Sequence, residues 1–428
     1  MTFVAPGVSV RGALALPGDK SISHRAVLVG AVSEGETEVA GFGRSLDTEA
    51  TIAAVRALGV EIEEDGLDGL RVHGAGLRGL AAPAAPIDCG NAGTLARLLP
   101  GILAGQEGGR FELTGDDSLR SRPMARIADP LAQMGAGVET ADGRLPLGLE
   151  GRPLRGIAYE LPVASAQVKS CVLLAGLYAE GETTVVEPVA TRDHTERMLR
   201  AAGARVRVQP GRVTVTPAER LSLPQVEVPG DFSAAAPFLA AATLLPGSEL
   251  ILTGVGVNPT RTGFLHVLER MGARASAFNR RSLGGEPTAD LSVAHAELVA
   301  TEVGPAEVPS LVDELPLFAL VASMARGESR VRGARELREK ETDRIETVTA
   351  ALRALGVRIR ATGDGFVVQG VPARPRGGAV DSRGDHRIAM LGAVAGLVSR
   401  EGVRVESSEA TAVSFPAFFD LLESVTQR

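Results

Sequence analysis

The chain reads as a mixed α/β protein assembled from six copies of one unit of about 70 residues. Three observations predict this. A helix-like run of small and aliphatic residues, then a glycine, then a strand-like run recurs six times along the chain. Hairpin signals separate these copies. With 428 residues the chain is about three times the usual single-domain length, so two or more compact units are expected.

The first copy begins at Ser23 (SHRAVLVGAVSEGETEVAG), and the others begin at Ala92, Ser165, Asp231, Asp313 and Asp385. Their closing glycines, Gly35, Gly109, Gly181, Gly247, Gly327 and Gly402, lie 66 to 80 residues apart. Each fits a helix C-cap followed by a strand. Between the copies lies a second element, a helix ending in Gly and then a hairpin. It starts at Arg56 (RALGVEIEEDGLDGLRVHG) and returns at Ala132, Arg200, Glu269 and Arg353. Five such elements against six of the first leave one copy incomplete. The strand Gly7 to Leu16, meeting a helix from Phe415 to Val425, is expected to complete it and to join the chain ends in one domain.

Composition narrows the function. Hydrophobic residues make up 44% and charged residues 23%, a globular balance. Aromatics are 3% with no Trp, which removes stacking platforms for single-stranded nucleic acid. A net charge of −7 argues against a general polyanion binder. Two cysteines, Cys89 and Cys171, build neither a disulfide framework nor a multi-cysteine zinc site. No apolar run reaches membrane-spanning length and the first residues lack a signal-peptide core, so a cytoplasmic protein is expected.

Of 45 basic residues only three are lysine: Lys20, Lys169 and Lys340. In so Arg-biased a chain, a surviving Lys is either a chance survivor or a place where a compact ammonium is needed and a planar guanidinium does not serve.

Chemistry collects where the repeated helices begin. Lys20, Ser21, Ser23 and Arg25 stand there in PGDKSISHR, and Asn91, Gly93 and Thr94 in CGNAGT. Ser165, Gln167 and Lys169 follow in SAQVKS, then Asp231 and Ser233 in GDFS. Asp313 and Glu314 in VDEL and Asp385, His386 and Arg387 in GDHR complete the set. Helix N-termini attract anions. Plain capping accounts for Asp231 and Ser233. It does not account for Lys20, Arg25 and Arg387, because a cation at a positive helix end needs an anion beside it. Arg120, Arg122 and Arg126, then Arg192 and Arg197, then Arg338, Lys340 and Arg344 add further cations. Read alone, Glu341 and Arg344 look like an i,i+3 pair on a solvated helix face. The whole set points to a ligand with several phosphate and carboxylate groups. The six histidines have no metal-site spacing, and no P-loop or GxSxG pattern occurs. Cys89 borders GNAGT, where a nucleophile or a small buried residue are both conceivable.

These segments, LPGDKSISHRA, GNAGT, SLxxRPM, SAQVKS, TRDHTE, REKETDRI and GDHRIAM, resemble in order the motifs of the 3-phosphoshikimate 1-carboxyvinyltransferase (5-enolpyruvylshikimate-3-phosphate synthase) family. The resemblance runs from Lys20 to Met390. It implies a two-domain inside-out α/β barrel of six βαβαββ repeats, three per domain, with helices inside. One domain would combine residues 1–19 with 230–428, the other would span 20–229, and the active site would lie in a closing cleft between them. No cofactor and no metal are implied, and a monomer is expected, without nucleic-acid or membrane partners.

The implied reaction moves the enolpyruvyl group of phosphoenolpyruvate (PEP) to the 5-hydroxyl of shikimate 3-phosphate. Carried over residue by residue, Asp313, Lys20 and Glu341 fall on catalytic positions. Lys20, Ser21, Arg25, Ser165, Ala166, Gln167, Arg192, Asp313 and Lys340 match shikimate 3-phosphate contacts. Lys20, Asn91, Gly93, Arg122, Gln167, Glu341, Arg344 and Arg387 match PEP contacts. Glu314 is expected to point away from the chemistry. One departure is Val413, where many members carry Lys shortly before the final Phe-Pro. Two alternatives stand beside this reading: a UDP-N-acetylglucosamine enolpyruvyl transferase, and a non-catalytic sugar-phosphate binder of the same fold. The first usually has Lys-Asn in place of Lys20-Ser21.

Overall fold

The computed structural model describes all 428 residues. They form two compact units. A terminal unit comprises Met1–Pro17, Pro229–Ser282 and Pro287–Arg428, and a central unit comprises Gly18–Val228 with Leu283–Glu286.

The central unit repeats one sheet plan three times. In the first copy Gln225–Glu227 runs parallel to Glu34–Ala40, which pairs antiparallel with Gly69–Ala75, and Glu61–Asp65 closes the sheet. The same order, one parallel pair and then an antiparallel hairpin, recurs in the sheets built on Arg110–Thr114 and Thr183–Val186. Strand burial alternates: in Glu34–Ala40 only Thr37 and Val39 are buried, so each sheet turns one face to water. The helices behave differently. Lys20–Ala31 is buried at every residue from Ile22 on, and Ala166–Gly176 from Val168 on. Helices apolar all round belong in the interior, and here they pack together while the sheets wrap outside.

The terminal unit follows the same rule. Phe232–Leu244 and His386–Val398 are buried along their whole lengths, as is Leu315–Ser323. Both chain ends lie in this unit, but the strands divide the work differently from the sequence expectation. Ser9–Ala15 does meet the end of the chain, with Val10 opposite Thr426. Its main partner is Glu249–Gly256, beside which it runs parallel as the leading strand of the fourth copy. Thr2–Val4 completes the sixth copy, antiparallel to Val403–Glu406. The strand Thr2–Val4 was not foreseen because three residues are too few to show a strand period; Ala5-Pro6-Gly7 separates it from Ser9–Ala15.

The closing glycines are not the caps themselves. The first helix ends at Val32, and Gly35 (φ 80°) makes the turn two residues into the next strand. In the second copy the left-handed residue is Gly108 (φ 78°) rather than Gly109.

Candidate active site

In the central unit, capping and charge at the first helix separate cleanly. Asp19 caps Lys20–Ala31 by accepting from the Ile22 amide, so Ser21 and Lys20 are released from that duty. Gly18 and Gly43 allow the strand end and the next loop to meet: a Cβ on Gly18 would lie 1.8 Å from the Gly41 carbonyl oxygen. Lys20 Nζ sits 2.6 Å from Asp47 Oδ2. Asp47 is a buried residue in the first turn of the Leu46–Ala57 helix, and nothing in its sequence context marked it.

Arg25 is the centre of this half. It is 3% exposed, and its donors reach Thr195 Oγ1 (2.7 Å), Ser170 Oγ (2.9 Å) and the Ser21 carbonyl (2.8 Å). Ser170 in turn donates to the Ala166 carbonyl at 2.7 Å, and the Thr195 and Ser170 hydroxyls lie 2.7 Å apart. The guanidinium therefore ties together the helices beginning at Lys20, Ala166 and His194. All its acceptors are neutral. Burial lowers its pKa to about 10, with Glu196 and Asp19 acting against the shift and Arg192 acting with it. A buried cation with no carboxylate in contact and a second cation nearby is a place built for an anion.

Ser165 caps its own helix through the Val168 amide, and Gln167 Nε2 donates to Thr94 Oγ1 at 3.2 Å, which links the Ala166 helix to the Gly93 helix. Asn91 bridges, donating to Asp116 at 2.7 Å and accepting from Arg122 Nη2 at 2.7 Å. Gly93 opens the Gly93–Leu103 helix without a side-chain cap. A Cβ there would lie 2.7 Å from Arg97 Nη1 and 3.1 Å from Arg122 Nη1, so only glycine leaves both guanidinium groups at that helix end. Cys89 is no nucleophile: it is fully buried, and burial pushes its thiol up to about 12.

The terminal unit holds a second polar cluster. Arg344, 1% exposed, makes two bonds to Asp385 (2.9 and 3.2 Å), one to Glu341 (2.6 Å) and one to Asp313 (3.4 Å). The Glu341–Arg344 pair is therefore no solvated helix face. Asp385, Glu341 and Asp313 hold the Arg344 guanidinium charged beyond its ordinary range against the cost of burial. Asp313 also meets Arg261 Nη1 at 3.4 Å, and Arg261 Nη2 donates to Ser233 Oγ (2.6 Å) and Asp231 (3.3 Å). Asp231 caps its helix as expected; Ser233 does not, and binds Glu314 and Arg261. Glu314 is fully buried within 4.0 Å of Arg261 Nη1, so it shares a partner with Asp313 instead of standing apart. Arg261 was not foreseen, since VNPTRTGF carries only an Asx-turn signal at Asn258.

Arg387 is 8% exposed and donates from Nη1 to the Ser233 carbonyl at 3.3 Å, while its Nε makes no hydrogen bond. Like Arg25, it is a buried cation facing neutral acceptors. Lys340, half-buried, reaches Glu336 at 3.3 Å. Two foreseen cations are structural: Arg338 binds Asp343 and the carbonyls of Thr362 and Gly363, and Arg197 binds Asp193 and the Gly285 carbonyl. No group of three His, Cys, Asp or Glu side chains converges as a metal site.

The profile of the EPSP synthase (3-phosphoshikimate 1-carboxyvinyltransferase) family matches residues 4–422. The chain belongs to this family. A relative from Acidithiobacillus ferrooxidans, named 3-phosphoshikimate 1-carboxyvinyltransferase, is 51% identical over 416 residues, covering 97% of this chain and 95% of its own. One of the same name from Citrifermentans bemidjiense is 50% identical over 427 residues, 99% of each chain. Among solved structures, an EPSP synthase from Acinetobacter baumannii superposes with a TM-score of 0.87 at 41% identity, over 99% of this chain and 97% of the other. The enolpyruvyl transferase NikO from Streptomyces tendae shares the fold, with a TM-score of 0.79 at 20% identity over 99% and 96% of the two chains.

Proposed function

We propose that the chain transfers the enolpyruvyl group of PEP to the 5-hydroxyl of shikimate 3-phosphate and releases phosphate, a step toward aromatic amino acids. One observation supports this beyond family membership: buried guanidinium groups on neutral acceptors, Arg25 in the central unit and Arg387 in the terminal unit, stand among polar residues of the family's motifs. Both substrates carry a phosphate and a carboxylate, and such anions match these cations.

In the addition step the 5-oxygen bonds to C2 of PEP, its proton leaves, and C3 gains a proton. In elimination C3 loses a proton while the C2–O bond to phosphate breaks. Asp313 accepts the hydroxyl proton. Glu341 and Lys20 serve the proton traffic at C3, and Lys340 assists in holding shikimate. Arg25, Arg192, Ser21, Ser165, Ala166 and Gln167 take the shikimate 3-phosphate. Asn91, Gly93, Arg122, Gln167, Arg344 and Arg387 take PEP. Arg344 has one N–H of Nη1 left over from its carboxylate partners for that purpose. The reading includes a monomer acting in the cytoplasm.

The test is phosphate release from PEP with shikimate 3-phosphate, run with and without EDTA and with UDP-N-acetylglucosamine as the competing acceptor. Turnover with shikimate 3-phosphate, indifferent to EDTA, is expected. A rate that needs the nucleotide sugar, or none at all, overturns the reading.

A further inference from the structure

Lys169 is 1% exposed and takes no part in the chemistry above. Its ammonium has three hydrogens and meets three acceptor groups: Glu196 Oε1 at 2.7 Å, the Glu187 carboxylate at 3.2 Å and the Thr191 carbonyl at 3.3 Å. A guanidinium has five donors in a flat fork and does not match this tetrahedral set. That is a physical reason for Lys to persist here in an Arg-rich chain.

The far side of the cluster holds a loop. Residues 187–193 join the strand Thr183–Val186 to the helix His194–Ala201 and carry no regular structure. Within it every polar group of Thr191 is engaged by the same ion pair. Its amide donates to Glu187 Oε1 at 3.1 Å, its hydroxyl donates to the same oxygen at 2.5 Å, and its carbonyl accepts from Lys169. Arg192 is the next residue. On the other side, Glu196 adjoins Thr195, whose hydroxyl accepts from Arg25.

We propose that Lys169 and Glu187 form a buried clamp that fixes Thr191 and so positions Arg192, and through Glu196 and Thr195 also Arg25, for the 3-phosphate of the acceptor. Lys169 is a positioning residue. This rests on the function proposed above and adds to it a determinant of acceptor choice: the clamp secures the preference for a phosphorylated over an unphosphorylated ring. Replacing Lys169 leaves Glu196 and Glu187 buried without their cation, frees the Thr191 carbonyl, and lets both phosphate cations drift.

The experiment compares kcat/KM for shikimate 3-phosphate and for shikimate in the wild type and in Lys169→Met, Lys169→Arg, Glu187→Gln and Thr191→Val. The Lys169 variants are expected to lose on the order of 10-fold or more with shikimate 3-phosphate, as a displaced binding group does. Their KM for shikimate 3-phosphate rises and their KM for PEP stays unchanged, while the rate with shikimate moves less than about threefold. Lys169→Arg does not rescue. Thr191→Val keeps the ion pair and the side-chain shape, so it folds and loses the preference in part. A folded variant that lowers both acceptors equally, or neither, overturns the clamp. If the Lys169 variants do not fold, Glu187→Gln and Thr191→Val decide by the same ratio. A wild type with no preference for the phosphorylated acceptor would instead sink the functional reading, leaving a distinct result.

Discussion

Asp313 Oδ1 lies 3.4 Å from Arg344 Nη1, and its other oxygen lies 3.4 Å from Arg261 Nη1. This carboxylate is held between two buried cations and caps no helix: the helix starts at Leu315, and neither Glu314 nor Asp313 accepts from its first amides.

Asp313→Asn therefore tests a base without removing a cap. The amide oxygen still accepts from one arginine, Arg344 keeps Asp385 and Glu341, and Arg261 keeps Asp231. We expect a melting temperature near that of the wild type and kcat reduced by roughly 10²-fold or more, the scale of a lost general base. A kcat within about threefold of wild type would move the base to Glu341 or Lys340. Glu314→Gln is not an inert control. Glu314 is buried against Ser233 and Arg261, so that variant is expected to lower stability measurably.

Lys20 and Asp47 form a pair at 2.6 Å. Lys20→Arg places a longer, flat cation against a buried carboxylate, and kcat/KM is expected to fall on the order of 10²-fold or more. Asp47→Asn keeps a hydrogen-bond acceptor and should lose less. If Asp47→Asn lost as much as Lys20→Arg, the carboxylate itself would have a role in turnover beyond holding the ammonium.

The repeats and the helix-end clusters were legible because both rest on local patterns: all-apolar helices, glycine turns, and cations where a dipole disfavours them. The partners that complete the clusters were not. Asp47 and Arg261 reach their places through packing within one copy and Thr195 and Ser170 through packing between copies, and no spacing rule connects Arg25 to Thr195 across 170 positions. The pair Glu341–Arg344 was misread from spacing alone, since i,i+3 geometry is the same on a wet helix face and at a buried site. Thr2–Val4 was missed for another reason: three residues are too few to show a strand period, and only the pairing with Val403–Glu406 makes them a strand.

Gly93→Ala would set a methyl group against Arg97 Nη1 at 2.7 Å and Arg122 Nη1 at 3.1 Å. The guanidinium ends are flexible, so folding survives, but both must withdraw from the helix end. The expected outcome is a KM for PEP raised about 10-fold with the KM for shikimate 3-phosphate unchanged. Equal changes in both would detach Arg122 from the PEP site.

Cys89 and Cys171 are buried, and burial holds both thiols protonated well above neutral pH. Iodoacetamide at pH 8 should leave the native chain active and both cysteines unmodified by mass spectrometry. Inactivation in step with Cys89 alkylation would reopen a role for that thiol.

His24 supplies a pH dependence of known sign. It is fully buried in the first helix, and its Nδ1 lies 2.6 Å from Thr51 Oγ1. Burial first, then Lys20 and Arg25, hold its pKa well below 6.5. The native ring stays neutral while the unfolded ring takes a proton near pH 6.5, so the unfolded state binds more protons below that value. Stability is therefore full above pH 6.5 and is lost as the pH falls. The loss begins as the pH falls through the unfolded value and grows for as long as the folded ring stays neutral. His24→Gln can still bond Thr51 and does not titrate. Urea midpoints at pH 8 and pH 5 should fall further for the wild type than for His24→Gln, after each is referred to its own value at pH 8. Equal falls in the two proteins would mean that His24 accepts a proton in the folded chain, with Lys20 or Arg25 displaced to make room for its charge.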